Sequence, residues 1–536
     1  MMKKVIKKLL AALLAVAMVC AMAIPAFASE SWETEEDLGK NHCYDAFQIF
    51  KGDVSDDNTK ISHVEWGKNI PHPEDFLEKL TEVPTIGGEF ETNFTAQEAA
   101  AVISKWHDSD NNSIAFARFV CNYIYTDSNA DSVPVLQGGH TNGFKLEEAG
   151  YYLIVDTSSF SSSADGDSYH AYNSFLLKVN KDHYHVQITP KVVKPTVEKE
   201  VYDNNDIGST GGWGSSADHA INEEFQFRLI AKLPASEKGR AYDYYNEYAV
   251  LFNDTLSNGI TYDRLDSVVI ESKGISYDIP KDSLKYKVDV RNDNSFVVSI
   301  PDVKTCVEDL GFNLNNGATI TVTYTAHLNE NAAVNGSAEN KNSVRLQYSN
   351  NPRPDGEYWG YTPTPESEVY VYTYQLNNTK YHDEANSGNE LEGAGFSLYS
   401  DEACTQEVKL YKEGAFYYPI KNAKGKTAVE MKSAADGTFN VKGLDAGTYY
   451  LKETTPPAGY SACDKTRIVI SATHDEHNVN LSGESNLNNK IINKKAGGIT
   501  LPSTGGIGTT IFYVVGGGLM VAAIVLLVTK KRMENK

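Results

Sequence analysis

The chain has 536 residues, too many for one hydrophobic core, so it should divide into several domains. Asp and Glu number 71 against 49 Lys and Arg, a net charge of −22, which argues against nucleic acid as a partner. With 32 tyrosines, 40 glycines and frequent Thr, Val and Asn, the composition favours strands joined by turns.

The chain opens on Met1-Met2-Lys3-Lys4-Val5-Ile6-Lys7-Lys8, runs apolar from Leu9 to Ile24, and reaches Ala26-Phe27-Ala28. A basic start, an apolar middle and a small-x-small exit make residues 1–28 a secretory signal peptide, with cleavage expected after Ala28. Residues 29–190 form a first block. Within 97–125, Ala99, Ala100, Val102, Ile103 and Trp106 recur at helical spacing. Strands are expected over 149–155, 172–179 and 185–188. The junction with the next block reads Ile188-Thr189-Pro190-Lys191-Val192-Val193-Lys194-Pro195-Thr196. Pro190 stiffens the approach and lacks a backbone donor, so Lys191 can be presented at a domain end; Lys194 is the second choice.

Residues 191–365 form a second block. In a strand, alternate residues share a face. Val197, Lys199 and Val201 therefore point one way, Asp254 shares a face with Val250 and Phe252, and Asn342 shares one with Val344, Leu346 and Tyr348. Burial disfavours both charges, lowering the Lys pKa and raising the Asp pKa. A neutral amine is a nucleophile, and a protonated acid can donate a hydrogen bond to the Asn carbonyl. Attack on that carbonyl expels ammonia and leaves a Lys–Asn isopeptide bond.

Residues 366–496 form a third block with the same logic. Tyr449, Leu451 and Glu453 share a strand face, Lys380 follows Tyr372-Thr373-Tyr374-Gln375-Leu376, and Asn493 ends the last strand-like piece. Asn378 interrupts the apolar row before Lys380. Six cysteines occur, and Cys20 leaves with the signal. Cys404 with Cys463, and Cys43 with Cys121, are candidate disulfides, with Cys306 left over; the pairing stays open.

Three signals carry no site. His183-x-His185 reads as surface, His474-Asp475-Glu476-His477 as a polar turn, and Gly208 to Ser216 as a flexible loop without the Lys-Ser/Thr of a phosphate loop. No nucleophile elbow or catalytic triad is found, so no turnover enzyme, metal or cofactor is expected.

The chain ends with Leu501-Pro502-Ser503-Thr504-Gly505-Gly506, an apolar run from Ile507 to Val528, and Lys530-Lys531-Arg532. The run is roughly long enough to span a bilayer, and the cations would hold the tail in the cytoplasm. The pentapeptide resembles the LPXTG sorting signal of Gram-positive surface proteins. That resemblance implies sortase cleavage between Thr504 and Gly505, and a mature chain from about Ser29 to Thr504.

The stretch Tyr449-x-Leu451-x-Glu453-Thr454-x-x-Pro457-x-Gly459-Tyr460 resembles the E box of Gram-positive pilins and collagen-adhesin B-type domains. Leu391-x-Gly393-Ala394-x-Phe396-x-Leu398-Tyr399 matches the opening of those domains. The second block, with Asp254-Thr255-Leu256-Ser257-Asn258-Gly259, is similar to the fimbrial isopeptide-formation domain of major pilins. Lys191 aligns with the lysine of the pilin motif, usually written YPKN, with Thr189 in place of Tyr and Val192 in place of Asn. The resemblance implies an all-β chain of tandem immunoglobulin-like β-sandwich domains between the signal peptide and a C-terminal transmembrane helix, with residues 497–536 as sorting signal, helix and basic tail. It implies the crosslinks Lys199–Asn342 and Lys380–Asn493, promoted by Asp254 and Glu453. It implies a major shaft subunit of a covalent pilus, polymerised by a class C sortase through Lys191 and Thr504 and joined to peptidoglycan by a housekeeping sortase. Its partners are then identical subunits, with room for accessory pilins and host surface ligands. The rival expectation is a monomeric LPXTG-anchored adhesin that binds a host protein or glycan.

Overall fold

The computed structural model describes residues 43–55, 60–107, 110–140, 146–156, 174–179, 193–204, 212–237, 240–349, 361–496 and 507–534. The signal peptide, Lys191, the strand expected over 185–188, and Leu501, Pro502, Thr504 and Gly505 lie outside them. The chain divides into two compact units, residues 1–373 with 472–480, and 374–471 with 481–536. The expected boundary at 365/366 shifts, because the strand Ser367–Tyr372 hydrogen-bonds to Lys341–Ser349 and so belongs to the first unit.

The described part of the first block differs from the expected sandwich. Its antiparallel sheet runs Ile61–Trp66, Cys43–Val54, Gly150–Asp156, Ser174–Val179, with Leu136–His140 also beside Cys43–Val54. The helices Pro73–Thr81, Ala96–Ile103 and Asn111–Thr126 share its core, where Phe47, Phe50 and Leu153 meet Phe76, Leu80, Ile103, Phe116 and Val120. The helical periodicity over 97–125 is real but interrupted. A capping box of Thr95 and Glu98 starts one helix, and another begins at Asn111.

The second block is a sandwich. One sheet runs Lys287–Val290, Ser295–Ile300, Val250–Leu256, Lys341–Ser349, Ser367–Tyr372, Ser216–Asp218. The other runs Ile275–Asp278, Ile260–Ser272, Ala318–Leu328, Glu224–Leu233, Thr196–Asp203, Gly212–Gly214. Period-2 alternation drives the pairing: in Glu224–Leu233, Phe225, Phe227, Leu229, Ala231 and Leu233 are buried and the residues between them are not.

The second unit also pairs two sheets. Leu410–Glu413, Phe416–Pro419, Asn440–Leu444, Tyr374–His382 and Asn488–Asn493 form one; Glu407–Val408, Gly395–Tyr399, Gly447–Thr455 and Thr466–Ile470 form the other, with Met431–Lys432 beside Gly395–Tyr399. Tyr374–His382 and Asn488–Asn493 run parallel, Lys380 opposite Ile491. Residues Ile507–Glu534 form a helix 28 residues long, about 42 Å at 1.5 Å per residue. Among the described residues no helix is long and apolar enough to cross a membrane; the side chains described in this helix start at Val515.

Candidate functional site

Lys199 lies on Thr196–Asp203, where Lys199, Val201 and Asp203 are buried and alternate with more exposed neighbours. Its side chain is 0% exposed and its Nζ pairs with Asp254 Oδ2. The rings of Phe227 and Tyr324 lie 5.3 and 5.4 Å from that nitrogen. Burial pulls the amine pKa down to about 8, with Asp254 opposing part of the shift. Burial also pushes the Asp254 carboxyl up, against the pull of Lys199. Both shifts run toward a neutral amine beside a neutral acid.

Asn342 comes from Lys341–Ser349 in the facing sheet and is fully buried. The expected direct bond from the acid to its carbonyl is absent: Asn342 Oδ1 is buried with no hydrogen-bond partner. Tyr324 stands between them. Its hydroxyl donates to Asp254 Oδ1 at 3.2 Å and accepts from Asn342 Nδ2 at 2.6 Å and from Lys199 Nζ at 3.1 Å. Sequence reading missed Tyr324. The available signal was a tyrosine in line with Ile320 and Val322 on an inward face, where a buried hydroxyl needs partners.

The second unit assembles its own cluster. Along Tyr374–His382 the buried positions are Tyr374, Leu376, Asn378 and Lys380. Asn378 does not break the face. Its Nδ2 donates to the Phe439 carbonyl at 3.2 Å and its Oδ1 accepts from Asn489 Nδ2 at 3.0 Å. Lys380 Nζ donates to Asn493 Oδ1 and lies 3.5 Å from Glu453 Oε1. Glu453, buried with Tyr449 and Leu451 on Gly447–Thr455, accepts from Asn493 Nδ2 at 2.7 Å through Oε1 and from the Cys463 backbone N–H at 2.7 Å through Oε2. The Phe396 ring lies 5.2 Å from Lys380 Nζ. Each cluster thus brings an amine, an amide side chain and a carboxyl together in a dry interior.

The candidate Cys404–Cys463 disulfide is not formed. Cys404 sits in a surface turn in which Asp401 accepts the backbone N–H groups of Thr405 and Gln406, while Cys463 Sγ lies 3.5 Å from Lys380 Nζ. Cys121 is buried in its helix, and the Cys43 side chain lies outside the described residues. Cys306 is buried, and burial pushes its thiol up to about 11. The polar turn read at His474 to His477 is centred on Asp475, whose Oδ1 accepts from the backbone of His477 and Asn478. The His474 ring instead turns inward, Nε2 3.3 Å from Asp203 Oδ2, and with Asp218 it places three ligand atoms within 4.8 Å of one another, a donor set that sequence reading did not find.

Three family models match the chain. Residues 222–352 match the Gram-positive pilin backbone subunit 2, Cna-B-like domain; residues 377–486 match a prealbumin-like fold domain; residues 493–535 match the LPXTG cell wall anchor motif. The chain carries a Gram-positive pilin backbone domain and an LPXTG cell-wall anchor motif. The backbone-domain match contains Asp254, Tyr324 and Asn342, and the prealbumin-like match contains Lys380 and Glu453. The fold is similar to that of the T6 backbone pilin of serotype M6 Streptococcus pyogenes, at 16% identity and TM-score 0.50, covering 86% of this chain and 97% of that one. The major pilin SpaD of Corynebacterium diphtheriae aligns at 18% identity, TM-score 0.45, over 86% and 94% of the two chains. A fragment of the major pilin GBS80 of Streptococcus agalactiae aligns at 22% identity, TM-score 0.40, over 56% and 99%. No curated protein matches the chain.

Proposed function

We propose that this pilin is the major shaft subunit of a covalent surface pilus, each subunit hardened by two internal Lys–Asn isopeptide bonds. The observation that carries the proposal is Lys380 Nζ held against the Asn493 side chain while Glu453 accepts from the amide nitrogen that must leave. The amine attacks Asn493 Cγ, the carboxyl shuttles the proton from the attacking to the departing nitrogen, and ammonia is released. Lys199, Asp254 and Asn342 are assigned the same roles in the first unit. Each bond forms once within its own domain, so the pilin is a self-modifying substrate without turnover.

Assembly is assigned to Thr504 and Lys191. A class C sortase cleaves after Thr504 and transfers its acyl group to Lys191 of the next subunit, and a housekeeping sortase transfers the last subunit to peptidoglycan. The whole apolar run Ile507–Val528 holds the precursor in the membrane until cleavage. Intact-mass measurement of the mature chain tests the internal bonds: each removes about 17 Da, the ammonia lost when amine nitrogen replaces amide nitrogen. An unmodified mass rejects them. Lys191→Ala tests the assembly. It should abolish high-mass ladders on the cell surface; ladders that persist transfer the role to Lys194, and their absence in the unmutated strain favours the monomeric adhesin.

A further inference from the structure

The two clusters differ in how the acid reaches the amide. Glu453 touches the Asn493 amide nitrogen directly at 2.7 Å. Asp254 has one methylene fewer and contacts Lys199 and Tyr324. The Tyr324 hydroxyl fills the gap. It contacts Lys199 Nζ, Asp254 Oδ1 and Asn342 Nδ2 together, and its ring is fully buried.

We propose that Tyr324 is a catalytic residue of the Lys199–Asn342 crosslink, relaying a proton between Asp254 and the departing nitrogen of Asn342. This rests on the crosslinking reading above. Lys199 starts as a neutral amine and Asp254 as a protonated acid. When Nζ bonds to Asn342 Cγ, the amide nitrogen loses its resonance and becomes basic. The phenol, until then the acceptor of that NH₂ group, gives it a proton and takes one from Asp254. The Asp254 carboxylate then takes the proton released by the attacking nitrogen. The Cγ–Nδ2 bond breaks, ammonia leaves, and Asp254 and Tyr324 return to their starting states.

Burial holds the Tyr324 pKa well above its ordinary value, so the phenol keeps its proton through the neutral range and can pass it on. Packing alone would need no hydroxyl. The Tyr324 ring stacks on Phe227 at 5.3 Å and meets Phe296 edge-on at 4.8 Å, contacts that a phenylalanine would keep.

Tyr324→Phe separates the two roles. Mature chain recovered unfolded from inclusion bodies is refolded at neutral pH, and both ammonia losses are timed by mass spectrometry of proteolytic fragments. The Lys380–Asn493 bond serves as an internal clock. Tyr324→Phe should slow the Lys199–Asn342 bond by about 100-fold, the lower range for a positioned acid–base group, and leave the other bond unchanged. Equal rates for Tyr324→Phe and the unmutated chain overturn the relay. If Tyr324→Phe does not refold, 3-fluorotyrosine at position 324 keeps the hydroxyl and makes it more acidic. A changed rate and pH profile for the first bond alone then supports the relay, and an unchanged one overturns it. Should the unmutated chain never form the first bond, the crosslinking reading itself fails and the relay falls with it.

Discussion

Lys199 is a base held where a cation is costly, beside an acid held where an anion is costly. The reactive arrangement, neutral amine and protonated carboxyl, holds one proton between them. Above about pH 8 the pair loses that proton; below the raised Asp254 pKa the pair gains a second one. Bond formation should therefore be fastest between these limits and fall on both sides, read as refolding time courses across a pH series. A rate still climbing in the ordinary lysine range would sink the assignment of Asp254 as the acid. At this scale much was legible. Lys199, Asp254, Asn342, Lys380, Glu453 and Asn493 are all buried, as strand alternation requires. Tyr324 was not legible, because a tyrosine on an inward face is ordinary and only three hydrogen bonds distinguish it.

Strands bring these residues together, and their neighbours set the spacing. In the second unit Lys380 and Asn493 lie on adjacent parallel strands, and Glu453 belongs to the other sheet. In the first unit Lys199 belongs to one sheet, and Asp254 and Asn342 to the other, so that bond would tie the two sheets together. Gly437 holds the Lys380 strand in place. Its φ is +75°, its carbonyl accepts from the Lys380 N–H at 2.8 Å, and a Cβ there would sit 2.5 Å from the Lys380 carbonyl oxygen. Gly437→Ala should cost about 1–3 kcal/mol from the left-handed backbone alone and slow only the second crosslink. Thermal unfolding together with fragment masses checks this, and unchanged kinetics would show that the strand tolerates the shift. The helix Pro73–Thr81 was missed although its signals were present. Pro73 starts it, Glu74 and Asp75 fill the first turn, and Phe76, Leu77 and Leu80 are buried. The strand-rich composition elsewhere obscured a short amphipathic segment.

At the scale of the molecule, each crosslink would close a loop of more than 100 residues. By analogy with disulfides each would stabilise its unit by about 4–5 kcal/mol through the unfolded chain. Asn342→Ala with Asn493→Ala should lower the calorimetric transitions by roughly 10–20 °C. Transitions that stay in place would mean that no bonds were there to lose. The larger gain should be mechanical, because pulling along the shaft would meet covalent clamps. The sequence alone determined the class, the anchor and the six buried polar residues of the two clusters, because alternation, short motifs and the order of polar groups along a strand are local properties. The tertiary structure decided the rest. It moved Ser367–Tyr372 into the first unit by hydrogen bonding, left Cys404 and Cys463 apart, and inserted Tyr324 between acid and amide. Those outcomes depend on which strands become neighbours and how far each side chain reaches across the core, and neither distance is written in the order of residues.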